Sequence, residues 1–293
     1  MAKKLPKKKS EPVQASDDAI KTLESSSRRV ARFGWVRDEL DHRDQLFSVP
    51  FTVLSSLHKS VDLRSQCPPV FDQGRIGSCT ANAIAGAIQF DRRKNGQSPD
   101  FVPSRLFIYY NERVIEHTAA SDSGAQIRDG IKSVNKLGVC PESEWPYDDT
   151  PAPTDGGPFP AGSKAGSRPS AKAYHDAKSF TVVSYQRLIQ NLGQLKGCLA
   201  QGFPFVFGFV VFDSIYDAAG NPKTVFPLPS TTDSAIGGHA IMAVGYDDDK
   251  LLFTFRNSWG SAVGEAGYFY MPYSYVTDSQ LASDFWVIRT IAR

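Results

Sequence analysis

The octet Gln73-Gly74-Arg75-Ile76-Gly77-Ser78-Cys79-Thr80 places a thiol where a glycine-rich loop turns into a helix. Beyond it, Ile84, Ala87, Ile88 and Asp91 recur at the spacing of one helical face. Arg92, Arg93, Lys94 and Gly96 then supply a cationic last turn and a glycine stop, so the pattern predicts a helix over Cys79 to Lys94. Ser78 is the expected N-cap, with Cys79 in the first turn, where unpaired N–H groups and the helix dipole favour a negative sulfur. A thiolate forms more readily there, which makes Cys79 a candidate nucleophile.

A nucleophile needs a base and a group to orient it. Gly237-Gly238-His239 opens an apolar stretch that runs to Gly245-Tyr246 and reads as a strand with a histidine at its glycine-flanked start. Histidine titrates near neutrality and suits proton transfer. A second strand, from Phe253, ends in Asn257-Ser258-Trp259-Gly260. Asn257 lies 18 positions past His239, a hairpin-length separation that lets the two side chains meet.

These blocks resemble the papain-like cysteine peptidases of clan CA. The likeness covers roughly residues 61–293: Val61-Asp62-Leu63-Arg64 resembles a mature start, Gln73 to Cys79 the nucleophile loop, His239 to Gly245 the histidine strand, and Asn257 to Gly260 the asparagine turn. Trp145-Pro146-Tyr147, after Leu137-Gly138-Val139, resembles the family's turn into its second lobe. The branch it most resembles is the bacterial one typified by xylellain, without a long helical pro-domain. The resemblance implies an α+β, papain-like two-lobe fold: a helical lobe (about 70–150), a surface connection (about 150–170) and an antiparallel sheet or barrel lobe (about 171–293), with the active cleft between the lobes.

The resemblance also implies roles. Cys79 attacks a peptide carbonyl, His239 holds the thiolate and protonates the leaving amine, and Asn257 orients the imidazole. Gln73 offers its side-chain amide to the oxyanion. Trp259 screens the His239–Asn257 contact from water. Ser123 and Gly124 resemble the cleft wall that pairs with an extended substrate, while Gly237, Gly238 and Ala240 resemble the lining of a substrate pocket. The implied reaction is peptide-bond hydrolysis of the EC 3.4.22 type through a thioester, without metal or organic cofactor. The alternatives are another Cys–His acyl transfer, such as ligation or leader-peptide cleavage, and a silent peptide-binding module. Ile76 stands where the family carries a disulfide cysteine, Thr80 where it carries an aromatic, and Gly238 where it often carries an acid.

Composition agrees with a folded enzyme, and the resemblance implies peptide or protein substrates. Lysine and arginine total 33 against 31 acidic residues, so the overall field favours no nucleic-acid partner. The local exception is Lys3, Lys4, Lys7, Lys8 and Lys9, followed by a polar stretch that reads as a solvated tail. No apolar segment after these lysines marks a secretory signal, and Phe203 to Phe212 is too short to span a bilayer. A soluble monomer is expected, cytoplasmic or exported by a route the sequence does not reveal. With Cys79 free, Cys67, Cys140 and Cys198 allow at most one disulfide.

Residues 1–60 form an extension ahead of the peptidase-like region at 61–293. Within it, Arg32-Phe33-Gly34-Trp35-Val36-Arg37 and Leu46-Phe47-Ser48-Val49-Pro50-Phe51 carry aromatics without helical periodicity. Residues near Phe33 to Phe51 are expected over or beside the cleft, as in a zymogen, held backward so as to resist cleavage. Further elements expected are helices over Pro103 to His117, Ile127 to Leu137 and Gln186 to Gln201. Strands are expected over Ala177 to Tyr185, Phe203 to Phe212, Ala240 to Asp247, Leu251 to Asn257, Gly267 to Pro272 and Phe285 to Arg293. His42, His58, His117 and His175 have no partner block and read as surface or satisfied histidines.

Overall fold

Ten strands and a set of short helices frame one long, enclosed helix in a computed structural model that describes residues 32–39, 41–179 and 182–290. The lysine-rich tail lies outside the described residues. The strands are β1 (Trp35–Val36), β2 (Leu46–Phe47), β3 (Ser60–Asp62), β4 (Ala125–Gln126), β5 (Val182–Leu188), β6 (Phe205–Phe212), β7 (Ala235–Asp247), β8 (Leu252–Arg256), β9 (Tyr268–Pro272) and β10 (Ala282–Thr290). Eight of them join in a mostly antiparallel sheet of order β2-β5-β10-β6-β7-β8-β9, with β3 on β7. β1 and β4 pair apart from it, in parallel.

The enclosed helix is Cys79–Lys94, with the bounds its spacing predicts. Every residue from Cys79 to Arg92 is buried, because small residues such as Ala81, Ala83, Ala85 and Gly86 let neighbours approach on all sides. It packs on helices Arg105–Ile115 and Ile127–Leu137 on one side and on β7 and β10 on the other. Ile76 and Thr80 show how the loop is held without its family neighbours. Ile76 is fully buried in the core, and the Thr80 hydroxyl donates to Glu112 Oε1 at 2.7 Å. Burial pushes the Glu112 carboxyl well above its usual range. All four cysteines are free.

Opposite that helix, alternate β6 residues Phe205, Phe207 and Phe209 point to one face and are fully buried. Phe207 stacks on Phe285 at 5.2 Å and Phe209 sits edge-on to His239 at 5.7 Å. Each such ring contributes roughly 1.5–3 kcal/mol by leaving water. This aromatic layer is a stiff platform under the histidine.

Three sequence expectations need correction. Ala171–Ala177 is a helix, started by Ser170 accepting from the Ala173 N–H, so the expected strand over Ala177 to Tyr185 begins instead at Val182. The helix expected over Gln186 to Gln201 runs Leu192–Ala200, because Asn191 caps it by accepting from Gly193 and Gln194, and residues 186–188 belong to β5. The Ser104 hydroxyl likewise trims the Pro103 to His117 helix to Arg105–Ile115. Among the described residues no helix is long and apolar enough to cross a membrane.

Candidate active site

Cys79 reaches the site as the first residue of its helix, and His239 as the residue of β7 paired with Phe209. The Ala240 N–H, adjacent to His239, is directed at the Cys79 sulfur, which brings the helix start against the histidine strand. Ser78 does not cap with its side chain. Its hydroxyl bonds the Tyr147 hydroxyl at 2.6 Å and accepts from Asn82 Nδ2 at 3.0 Å, because Tyr147 crosses the loop to donate to the Gln73 carbonyl.

Asn257 follows β8, one strand over from β7. Its Oδ1 lies 2.8 Å from His239 Nε2 and also accepts the Ser258 N–H at 2.8 Å. Oδ1 as acceptor requires the proton on Nε2, which leaves Nδ1 as the lone-pair nitrogen. Nδ1 is buried without a hydrogen-bond partner. Trp259 stacks on the imidazole at 4.9 Å, and Phe33 meets it edge-on at 6.0 Å from the other direction.

Gln73 Oε1 accepts from the Ser258 hydroxyl at 2.7 Å, which fixes the amide and aims Nε2 into the cleft. Nε2 donates there to the Arg32 carbonyl at 3.2 Å and to the Ile76 carbonyl at 3.1 Å. Arg32 belongs to a stretch that fills the site. The Gly34 N–H is directed at the Cys79 sulfur, the Gly34 carbonyl accepts from the Ala125 N–H at 2.7 Å, and Trp35–Val36 pairs in parallel with Ala125–Gln126. Gly124, Gly237 and Gly238 form its bed: a Cβ on Gly124 would meet Gly34, one on Gly237 would meet Phe33, and one on Gly238 would meet Trp35. Ser123 turns away, donating to Thr118 Oγ1 at 2.8 Å.

Enclosure sets the electrostatics. Burial pushes the Cys79 thiol up to about 12, against the pull of the neighbouring N–H groups. Burial also lowers the His239 imidazole to about 4, although the Asn257 bond opposes it. Helix position alone suggested a readily formed thiolate. The covered site instead favours the neutral thiol and the neutral imidazole, because burial strips either charge of its hydration.

The N-terminal stretch divides in two. Among its described residues, Arg32 to Trp35 reach the Cys79–His239 site. Leu46-Phe47 extends the sheet beside β5, and Val49 packs against the Leu192–Ala200 helix, its N–H donating to Gln194 Oε1 at 2.9 Å. Between them Asp38 is a buried anchor: its carboxylate accepts from the Arg128 N–H at 3.1 Å and Trp286 Nε1 at 2.8 Å, and its own N–H donates to Asp284 Oδ2 at 2.8 Å. Trp35 Nε1 donates to the same Asp284 oxygen at 3.2 Å. Sequence reading missed Asp38, Asp122 and Asp284. Only Asp122 carried a signal, as the residue directly before Ser123 and Gly124.

Residues 57–287 match the model of the papain family cysteine proteases. The chain is 40% identical over 283 residues to an uncharacterized peptidase C1-like protein of Acanthamoeba polyphaga mimivirus, covering 88% of this chain and 87% of that one. Its structure is similar to xylellain, a cysteine protease from Xylella fastidiosa, at 51% identity and a TM-score of 0.85 over 91% of this chain and 98% of that one. Procathepsin B S9 from Trypanosoma congolense, at 15% identity and a TM-score of 0.67, shares the fold over 94% of this chain and 97% of its own. With the α+β architecture in place and most of the chain matched, this protein belongs to the papain family of cysteine proteases.

Proposed function

We propose that Cys79 is the nucleophile, His239 the acid and base, Asn257 the orienting residue and Gln73 an oxyanion donor, in an endopeptidase whose cleft is occupied by its own residues 32–36. The observation that carries the reading is the 2.8 Å contact of His239 Nε2 with Asn257 Oδ1, which leaves Nδ1 unpartnered to take the thiol proton. The Cys79 sulfur adds to the peptide carbonyl carbon as its proton passes to His239. The carbon–nitrogen bond then breaks and the amine leaves with that proton. Water, deprotonated by His239, cleaves the thioester and regenerates the thiol. The oxyanion of each addition is received by Gln73 Nε2, held in place by Ser258.

Direction explains why the resident segment survives. A substrate with its acyl carbonyl on Gln73 and its preceding residues along Gly124 runs toward Gln73. The resident chain places its Arg32 carbonyl on Gln73 and runs away, along Gly124 and in parallel with β4. A backward peptide puts the wrong groups around the sulfur, and the dry site keeps that sulfur protonated. Release restores water, and both groups return toward values at which an ion pair forms.

The test is labelling and turnover of the full-length protein with E-64 and fluorogenic peptides, comparing the wild type with Gly34→Val and Cys79→Ala. Stoichiometric labelling and turnover of Gly34→Val, both lost when Cys79→Ala is added, support the reading. Turnover that survives Cys79→Ala would refute it.

A further inference from the structure

The Arg32 side chain occupies a site of its own. Nη1 donates to Asp122 Oδ2 at 3.0 Å and to the Thr154 carbonyl at 2.9 Å, Nη2 donates to the Ala152 carbonyl at 2.6 Å, and Nε lies 3.8 Å from Asp155 Oδ1. The Asp122 side chain is wholly buried and that of Arg32 is 10% exposed. Asp122 is also rigid: its other oxygen accepts the Gly77 N–H at 2.9 Å and the Tyr109 hydroxyl at 2.6 Å. The carboxylate is therefore built into the nucleophile loop, with one oxygen left for a cation in the cleft.

We infer that Asp122 and the carbonyls of Ala152 and Thr154 form a guanidinium subsite that selects arginine as the acyl residue of the substrate. This rests on the peptidase reading above and adds a substrate class to it. The Arg32 carbonyl already lies on Gln73, where that reading puts the acyl carbonyl. A substrate entering from the Gly124 side approaches along the same loop as Asp122, so its acyl side chain is within reach of the carboxylate that holds Arg32. When the resident segment leaves, Asp122 Oδ2 loses its cationic partner while the other oxygen stays held by Gly77 and Tyr109, and an incoming guanidinium restores the charge-assisted contact. Three acceptors in different directions suit the planar, five-donor fork of arginine better than the point charge of lysine. Citrulline keeps the shape but loses the charge.

Full-length protein carrying Gly34→Val is assayed on peptides identical except for arginine, citrulline or lysine at the acyl position, with E-64 titration of the active sites. The expected kcat/KM is about 10- to 100-fold higher for arginine than for citrulline, the range of a buried charge-assisted hydrogen bond. Adding Asp122→Asn, which keeps an acceptor for Gly77 and Tyr109, brings that ratio close to one. Equal rates for arginine and citrulline, or labelling without turnover of the arginine peptide, overturn the subsite while leaving Cys79 as nucleophile. Neither labelling nor turnover of any peptide overturns the peptidase reading and the subsite with it.

Discussion

A Cβ on Gly34 would stand 1.6 Å from the carbonyl oxygen of Gly77, two residues before Cys79. No side chain fits there, so the resident segment seats only with glycine at this position. Gly124, at a φ of 69°, closes on Gly34 from the other side. Gly34→Ala should therefore unseat the segment and raise turnover and epoxide labelling of the full-length chain at least tenfold, while the melting temperature changes little. Labelling at the wild-type rate by Gly34→Ala would show that the segment does not limit access.

Gln73→Ala should lower kcat/KM roughly 10²- to 10³-fold in a Gly34→Ala background, the usual loss for one oxyanion donor. Ser258→Ala acts through Gln73 by freeing its amide, and a smaller loss of about tenfold in kcat is expected. Steady-state kinetics on one peptide separates the two, and equal losses would contradict positioning by Ser258.

Seating should respond to pH through opposing groups. Covered His239 is lowered to about 4 from 6.5, so as pH falls through that window the released chain binds a proton that the covered chain does not, and acid favours release. Asp38 is raised from 3.8 to about 7 by burial and by the Asp284 carboxylate, so the covered chain holds the extra proton and acid favours seating. Asp38→Asn removes the second contribution. Amide exchange at residues 34–36, corrected for intrinsic rates, should then quicken from pH 6.5 to 4, whereas His239→Ala should make it slow. Identical pH responses in the two variants would rule out this linkage.

Phe47 is 6% exposed on a strand that closes the sheet beside β5. Phe47→Ala should cost about 3–5 kcal/mol of stability in urea unfolding. Turnover per labelled active site should not change in the Gly34→Ala background, because Phe47 stands apart from the cleft. A large drop in turnover per labelled site would place Phe47 in the catalytic machinery instead.

Sequence reading succeeded where chemistry is local. The helix bounds Cys79–Lys94 and Ile127–Leu137 follow from apolar spacing and end signals that sit within a few residues of each other. Thr80 and Ile76 were visible as departures, but what replaces the usual contacts, a bond to Glu112 and a buried aliphatic, depends on a helix 32 positions away and on the core. The misplaced strand and helix between Ala177 and Gln201 came from following apolar content past Ser170 and Asn191, whose side chains start helices.

By itself the sequence determined the Gln73–Thr80 loop, the histidine strand, the asparagine turn and the order in which they occur, because each is written in contiguous residues. Tertiary structure alone decided that burial opposes ionisation of the octet's thiol, that Gln73 faces the Arg32 carbonyl, and that Asp122 holds a guanidinium. Those outcomes depend on desolvation and on contacts between residues 41 to 90 positions apart, such as Arg32 with Gln73 and with Asp122. Only the folded chain creates the dry space in which a glycine backbone can lie on the sulfur and keep it neutral.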